Sequence, residues 1–203
     1  MPKPYNHFSR EEFSQRQQKT RKHLQKLELD GLLLFKIEDM YWLTGYESDG
    51  FCIFGSMFIG TEGALTHLAR PADLGNLSYS SICEDVRISP DTEDSTRAEH
   101  IKDMLRSLGM EGKKIGIQVD TMGLTPRLFL EISEILDGWC ELTVAPDFIR
   151  ILRLVKSPQE LNYFRKAGEV MDIVMDKVIE ATYPGAFEGD IYATFYDTLF
   201  RLD

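Results

Sequence analysis

Residues 39–50, DMYWLTGYESDG, combine side chains that could form one wall of a binding site. Two aromatic residues run into Leu-Thr-Gly, and an acidic stretch that ends in glycine follows. A loop held by a rigid strand can present an aromatic wall and a carboxylate to a cationic or polar substrate while it excludes water. The simpler alternative is that the aromatic residues, Trp42 above all, belong to the core and that the acidic residues form a turn. Residue types alone leave both interpretations open.

The histidines do not indicate metal or nucleophile chemistry. A two-metal site needs ligands that converge from several elements, and the four histidines lie in separate predicted settings. We therefore predict packing or solvated roles for His7, His23, His67 and His100. The sequence also lacks a recognisable Ser-His-Asp or Cys-His motif, a G-x-G-x-x-G loop and a P-loop. No catalytic residue and no metal ligand is predicted in this chain.

Composition excludes several classes of partner. The chain has 203 residues, 43% of them hydrophobic, which suits one domain or a little more. Asp and Glu number 33 against 23 Lys and Arg, with a formal net charge of −10 and no basic cluster, so nucleic acid is not an expected partner. No apolar run approaches the roughly 20 residues of a membrane helix, and the start lacks the layout of a signal peptide. We predict a cytoplasmic protein that does not bind membranes.

Two further features are predicted to be structural. Cys52, Cys83 and Cys140 are odd in number, far apart and in or beside apolar segments, which is typical of buried, reduced thiols. The acidic run at residues 91–99 is predicted to be a solvated loop that leads into a capped helix.

The first helix has a clear start signal. Ser9 and Glu12 form an S-x-x-E capping box, and Phe8 and Phe13 occupy the two staple positions. A helix is therefore predicted over residues 10–27.

Strand patterns follow this helix and then alternate with helices. An unbroken apolar run at residues 32–35 predicts a strand covered on both faces, and residues 51–59 and 63–69 predict a hairpin. Alternating helices and strands after the hairpin indicate a sheet with helices on its faces, with about five strands and at least four helices in total. Thr96 and Glu99 form a capping box before the second helix of this part, and Thr125 and Pro126 have the cap-then-proline order that starts the third. The alternating elements are helix 71–82, strand 86–89, helix 100–110, strand 113–119, helix 127–138 and strand 139–145.

Beyond residue 148 the pattern is purely helical. A Ser-Pro-x-Glu start signal at residues 157–160 and a Pro-Gly stop at residues 184–185 predict one long helix with an apolar face. Residues 190–203 predict a second helix that offers apolar residues to a core not present in this chain. Because an apolar face must be buried against something, the chain is expected to end inside an incomplete second domain.

Three segments together resemble the amino-terminal half of creatinase, prolidase and aminopeptidase P relatives: DMYWLTGY, the capped helix ahead of DGLLLF, and LRLVKSPQELNYFRKAGEVMD. The first resembles a Y-L-T-G-like turn and the third an R-x-x-K-s-p-x-E connector, and the resemblance spans essentially the whole chain. Asp39 stands where many relatives have Asn, and we predict that its carboxylate caps a short helix. The GYESDG segment looks closest to relatives that open small cyclic or amidino compounds, such as ectoine hydrolase. The matching residues are Trp42, Leu43, Thr44 and Gly45 in the turn and Arg153, Lys156, Ser157, Pro158 and Glu160 in the connector.

The resemblance implies a three-layer α/β fold over residues 1–150, the ribonuclease H-like creatinase amino-terminal domain with a mixed sheet flanked by helices. Residues 151–203 are then the connector and first helices of a truncated pita-bread catalytic domain. Family members hold two divalent metal ions with Asp, Asp, His, Glu and Glu, or, as in creatinase, use a metal-free site with a histidine acid and base. Those positions lie later in the pita-bread domain. The resemblance thus implies no cofactor in this chain, and Mn, Co or Zn in a full-length metal-dependent protein.

The resemblance also implies a homodimer in which the amino-terminal domain of one subunit caps the active site of the other. Residues after the turn then contact a small-molecule or peptide substrate in trans. On this sequence those residues are Tyr46, Ser48, Asp49 and Phe54. For Tyr46 and Phe54, packing in the core is an equal alternative.

Three functions are consistent with the resemblance. The favoured one is the dimerisation and substrate-capping portion of a metal-dependent hydrolase acting on a C–N bond, in an Xaa-Pro peptide or a small amidino or cyclic compound such as creatine or ectoine. The second is a lyase of the same fold that cleaves dimethylsulfoniopropionate. The third is a non-catalytic member that binds protein.

Overall fold

The computed structural model describes residues 5–202. Its internal contacts divide the chain into two compact units, Met1–Leu154 and Val155–Asp203. The helices of the first unit are α1 (Arg10–Lys26), α2 (Ile37–Thr44), α3 (Leu74–Ser80), α4 (Arg97–Ser107), α5 (Pro126–Leu136) and α6 (Phe148–Leu152), with a 3₁₀ helix at Pro71–Asp73. Its strands are β1 (Gly31–Leu34), β2 (Ser56–Gly60), β3 (Thr66–Ala69), β4 (Asp85–Ile88), β5 (Lys114–Ile117) and β6 (Glu141–Val144).

The six strands form one mixed sheet in the order β4-β3-β2-β1-β5-β6. Strands β1, β2 and β3 pair antiparallel, whereas β3 with β4, β1 with β5 and β5 with β6 pair parallel. All residues of the adjacent inner strands β1, β2 and β3 are buried, as expected for strands covered on both faces. The predicted mixed sheet flanked by helices is confirmed, and each of its six strands overlaps one of the six predicted strand segments, although the stated total was about five.

Two apolar cores fill the spaces between the sheet and its helices. Side chains alternate along β1, so Leu32 and Leu34 enter one core and Leu33 enters the other. The first core includes residues from α1, α2, α3 and α6, and the second includes residues from α4 and α5. This arrangement gives three layers, with helices on both faces of the sheet.

Helix starts follow the capping signals in the sequence. Ser9 Oγ accepts a hydrogen bond from the Glu12 amide, and the rings of Phe8 and Phe13 meet edge to face at 6.1 Å. The Thr96 capping box of α4 is complete in both directions. These starts are confirmed because each cap satisfies donors that the first helical turn leaves free.

The strand predicted over residues 51–59 is wrong in its first half. Strand β1 ends at Leu34, opposite Met57, so the residues before Ser56 extend beyond the partner strand. They turn instead, and the Ile53 amide donates to the Gly50 carbonyl at 2.9 Å. This turn brings the end of the segment toward α2.

The second unit consists of α7 (Pro158–Ala181) and α8 (Glu188–Arg201). A complete Ser157–Glu160 capping box starts α7, as predicted. Among residues 155–202 only Val174 is fully buried, and many apolar side chains of both helices are exposed. No helix within residues 5–202 combines the length and apolar character needed to cross a membrane. The most exposed large apolar side chains of this unit are Val155, Phe164, Ile179, Tyr183, Phe187, Tyr192 and Phe200.

Candidate binding pocket

A tight turn at Gly45 directs the segment that follows α2. Gly45 adopts φ = +77°, a left-handed conformation that glycine reaches without strain, and its amide donates to the Tyr41 carbonyl at 2.7 Å. A Cβ at this position would lie 2.5 Å from Asn6 Oδ1 and 3.0 Å from the Ser80 carbonyl oxygen. The glycine of the Leu-Thr-Gly turn is therefore required by both conformation and space.

Replacing Gly45 with alanine is expected to lower the free energy of unfolding by about 2 kcal/mol, from backbone strain plus overpacking. The matched control is Gly63→Ala, because Gly63 has φ = +80° and open space around its Cβ position. Strain alone predicts a loss of about 1 kcal/mol there. Equal losses in urea titrations of the two variants would contradict the packing role of Gly45.

The residues beyond this turn enclose a small pocket next to the ends of the inner strands β1, β2 and β3. Its cavity has a volume of about 20 Å³, enough for about one water molecule. Of the four predicted contact residues, Tyr46, Ser48 and Phe54 line the pocket, whereas Asp49 lies in an exposed turn and does not. The remaining lining residues are Phe35, Ile37, Met40, Gly50, Ile53, Gly55, Arg70 and Asp73.

The side chains of Tyr46 and Phe54 both pack in the core and line the pocket. Tyr46 is 5% exposed and Phe54 is 4% exposed, and each belongs to one of the two apolar cores. The Arg97 guanidinium lies 4.7 Å from the centre of the Phe54 ring, a distance at which cation–π attraction holds the ring in place. Burial raises the pKa of Tyr46, and a hydrogen bond from Ser48 partly offsets this effect.

A charged pair forms another part of the wall. Arg70 donates to Asp73 through Nε and Nη2, at 3.0 and 2.8 Å. These hydrogen bonds raise the pKa of Arg70. Because the pair is bidentate, the guanidinium and the carboxylate neutralise each other at the wall.

His67 lies behind the pocket on β3. Its side chain is fully buried, and the Tyr46 ring meets the imidazole edge to face at 4.7 Å. Burial lowers the pKa of His67 to about 4, although the nearby Asp73 carboxylate acts in the opposite direction. The imidazole is therefore neutral at physiological pH.

A buried polar network anchors α2, which forms the other side of the pocket. Asp39 is fully buried and accepts hydrogen bonds of 2.6 Å from both Gln118 Nε2 and Arg153 Nη1. Gln118 Oε1 in turn accepts from the amides of Phe35 and Lys36. The predicted capping role of Asp39 is thus wrong: Lys36 is the N-cap residue, and Asp39 bonds to distant side chains instead. Burial raises the pKa of Asp39, and its two hydrogen bonds counteract the rise.

Sequence reasoning missed Gly55, Arg70 and Asp73 as lining residues and treated His67 only as a packing or solvated residue. The Arg-Pro-Ala-Asp spacing at residues 70–73 was the available signal, because an i, i+3 pair on a single turn can form an ion pair. No comparable signal marks His67, since its surroundings come from three separate segments.

The other histidines and the cysteines lie elsewhere in the first unit. His7 Nε2 is 2.9 Å from Glu47, and the His23 ring packs at 4.6 Å on Phe148. All three cysteines are free thiols, and burial raises the pKa of Cys83 to about 12. The expectation of burial is wrong for Cys52, which lies exposed in the turn before β2. Residues 5–202 contain no cluster of three or more His, Cys, Asp or Glu side chains able to hold a metal ion.

The fold and this turn define a class of protein. A family model described as the creatinase/prolidase N-terminal domain matches residues 16–155, and the chain belongs to this family. The predicted resemblance is therefore confirmed.

Individual proteins show the same relationship. The chain is 24% identical over 197 residues to an uncharacterized hydrolase/peptidase of Sinorhizobium fredii, which covers 94% of this chain and 50% of that protein. It is also 24% identical over 196 residues to the ectoine hydrolase of Halomonas elongata, with coverage of 93% and 49%. The solved Xaa-Pro dipeptidase from Bacillus anthracis matches with a TM-score of 0.75 at 15% identity, covering 93% of this chain and 49% of that chain. The chain thus spans about half the length of the curated relatives it matches, and the likeness to the solved dipeptidase shows the fold alone.

Proposed function

We propose that this chain is the amino-terminal, dimer-forming and substrate-capping portion of a metal-dependent hydrolase that acts on C–N bonds. The observation that carries the proposal is the convergence of Tyr46, Ser48 and Phe54 on one pocket in a member of the creatinase/prolidase amino-terminal family. The proposed substrates are Xaa-Pro peptides or small amidino or cyclic compounds such as creatine or ectoine. Relatives named as a hydrolase/peptidase and an ectoine hydrolase support this class of reaction.

The second unit fits the same proposal. Residues 151–203 are proposed as the connector and first helices of a pita-bread catalytic domain, with residues beyond 203 as the source of ligands for Mn, Co or Zn. The exposed apolar side chains of α7 and α8 support this assignment, because such faces are stable when another layer covers them. The described residues themselves do not offer a fitting metal site.

Capping in a homodimer explains why a pocket without its own catalytic groups would be useful. An aromatic wall that closes over a reaction centre on the neighbouring subunit excludes water and orients the substrate. Tyr46, Ser48 and Phe54 would contact the substrate from this wall. Asp49 would reach it from the exposed turn beside the pocket.

Mixed dimers of a full-length protein that contains this chain would test the proposal. One subunit carries Ser48→Trp, which blocks the pocket, and the other lacks a downstream metal-ligating carboxylate. Each variant alone should be inactive toward Xaa-Pro dipeptides, creatine or ectoine with Mn²⁺. Their mixture should recover about a quarter of the wild-type activity, since half of the dimers are hybrids and each hybrid has one complete site.

Ser78→Trp is the matched control, because Ser78 is an exposed serine on α3 away from the pocket, and this subunit alone should stay active. Failure of the mixture to recover activity would show that the pocket does not act across the dimer. Products of elimination rather than hydrolysis would assign the lyase function. Protein binding without turnover of any substrate would assign the non-catalytic one.

A further inference from the structure

A cleft lies at the carboxyl-terminal ends of the neighbouring strands β1 and β5. These strands pair parallel, from Gly31 opposite Ile115 to Leu33 opposite Ile117. The chain then continues toward opposite faces of the sheet, because α2 after β1 packs in the first apolar core and α5 after β5 packs in the second. In open α/β sheets, ligands bind in the crevice that such a divergence leaves outside the strand ends. The topology therefore indicates a ligand site between the segments that follow β1 and β5.

The cleft at this point has room for a group of several atoms. Its volume is about 360 Å³, within the range of about 300–1,000 Å³ for pockets that bind small molecules. Two of its side chains are large, apolar and accessible, since Phe51 is 55% exposed and Met122 is 66% exposed. The residues that line this β1–β5 cleft are Lys36, Glu38, Phe51, Asp120, Thr121 and Met122.

One negative charge in the β1–β5 cleft is not compensated by the protein. Lys36 Nζ lies 3.8 Å from Asp120 Oδ2, so these two opposite charges balance each other. Beside Asp120, Asp147 pairs with Arg150 and adds no net charge. Within residues 5–202, the exposed Glu38 carboxylate has neither an ion pair nor a side-chain hydrogen bond. The cleft thus carries one accessible carboxylate without a counter-ion.

This charge and the exposed ring of Phe51 favour a cationic ligand group. A carboxylate attracts a cation by its charge, and the face of an aromatic ring attracts it through the negative side of the ring quadrupole. A neutral group would gain neither attraction. An anion would be repelled by Glu38.

We propose that the β1–β5 cleft binds a positively charged nitrogen group of a small molecule, with Glu38 as its counter-ion and Phe51 as its aromatic contact. Ammonium, amidinium and guanidinium groups have this chemistry. The assignment of the group to the substrate rests on the proposed function. Each substrate class proposed above carries such a group: the amino terminus of an Xaa-Pro peptide, the guanidinium of creatine or the amidinium of ectoine. Glu38 is then a specificity-determining residue that recognises the cationic end of the substrate.

Three probes of similar shape and different charge would test the proposal: benzamidine, benzamide and benzoate, which at pH 7.5 are a cation, a neutral molecule and an anion. The carbon-13 signal of the Met122 methyl group reports on the cleft directly, since Met122 lines it. Benzamidine should shift this signal in a saturable manner and at lower concentrations than benzamide, and benzoate should not bind. High salt should weaken the binding of benzamidine and leave that of benzamide unchanged, because only the cation is held by charge.

Glu38→Gln keeps the shape of the side chain and removes its charge. It should weaken benzamidine binding by about fivefold, the equivalent of one lost exposed ion pair. The matched control is Glu62→Gln, which removes the same charge from an exposed turn at the opposite end of β1 and should bind benzamidine as the wild type does. Phe51→Leu keeps an apolar side chain without a ring face, so it should reduce the preference for benzamidine over benzamide.

Equal shifts from benzoate, an unchanged benzamidine affinity in Glu38→Gln, an equal loss in Glu62→Gln, or no response at Met122 in the wild type would each overturn the proposal. The readout needs no turnover. Mixed dimers that recover hydrolysis while benzamidine fails to bind would leave the proposed function intact and remove this inference alone. Benzamidine binding without recovery in the mixed dimers would keep the cation site and remove its assignment to the substrate.

Discussion

Replacing Asp39 with alanine is expected to lower the free energy of unfolding by about 3 kcal/mol. The carboxylate is fully buried and accepts hydrogen bonds from Gln118 and Arg153. Gln118 directly follows β5, and Arg153 directly follows α6. Its loss leaves the buried Gln118 amide and the Arg153 guanidinium without their shared acceptor. Arg153 retains partial access to solvent, so the loss falls at the lower end of the range for a broken buried pair.

Urea unfolding at pH 7.5, followed by far-ultraviolet circular dichroism, would measure the effect. Asp49→Ala is the matched control, because Asp49 is an exposed turn carboxylate, and its loss should change stability by no more than about 0.5 kcal/mol. A loss below about 1 kcal/mol for Asp39→Ala would contradict the network as an anchor of α2.

Asp39→Asn separates the charge of the side chain from its shape. The amide keeps one acceptor oxygen but turns an NH₂ group toward a second donor, and Gln118 is not free to adapt because its own oxygen accepts two backbone amides. An intermediate loss is therefore expected. A stability equal to that of the wild type would show that the carboxylate charge is not needed.

Local signals in the sequence predicted most of the fold. The capping residues Ser9, Thr96, Thr125 and Ser157 mark the starts of α1, α4, α5 and α7, because a helix start depends on bonds within a single turn. The unbroken apolar run of β1 predicted a strand buried on both faces, because this pattern can be recognised in the residues of the strand alone. Residues 51–55 could not be predicted in this way, since whether they form a strand depends on where β1 ends.

The candidate pocket depends on contacts that are distant in sequence. Asp39 was predicted to bond to its own helix, but Gln118 and Arg153 lie 79 and 114 residues away. The family resemblance indicated Tyr46, Ser48 and Phe54 as substrate contacts, and in the structure these three residues line one cavity. The alternation along β3 shows which face His67 occupies and cannot show that its nitrogens have no partner.

The protein is expected to lose about 3 kcal/mol of stability through His67 as the pH falls from about 6.5 to about 4. Burial lowers the pKa of His67 from its ordinary value of 6.5 to about 4. Between these values the unfolded chain binds a proton that the folded protein does not, so acidification favours unfolding; above pH 6.5 both forms are neutral and the contribution is constant. The Tyr46 ring packs edge to face against the imidazole, and the nearby Asp73 carboxylate opposes the shift.

His67→Leu should abolish this dependence, because leucine fills a similar volume and does not titrate. Urea unfolding at intervals from pH 7.5 to pH 4.5 would show a shallower loss of stability for His67→Leu than for the wild type. At pH 7.5 the variant should be at least as stable as the wild type, since it also removes two unsatisfied ring nitrogens from the core. Met57→Leu is the packing control: Met57 lies directly across from His67 in the β2–β3 pair, and its replacement changes the core without removing a titrating group. The two variants should therefore diverge only as the pH falls, and parallel curves would mean that His67 does not carry the acid sensitivity.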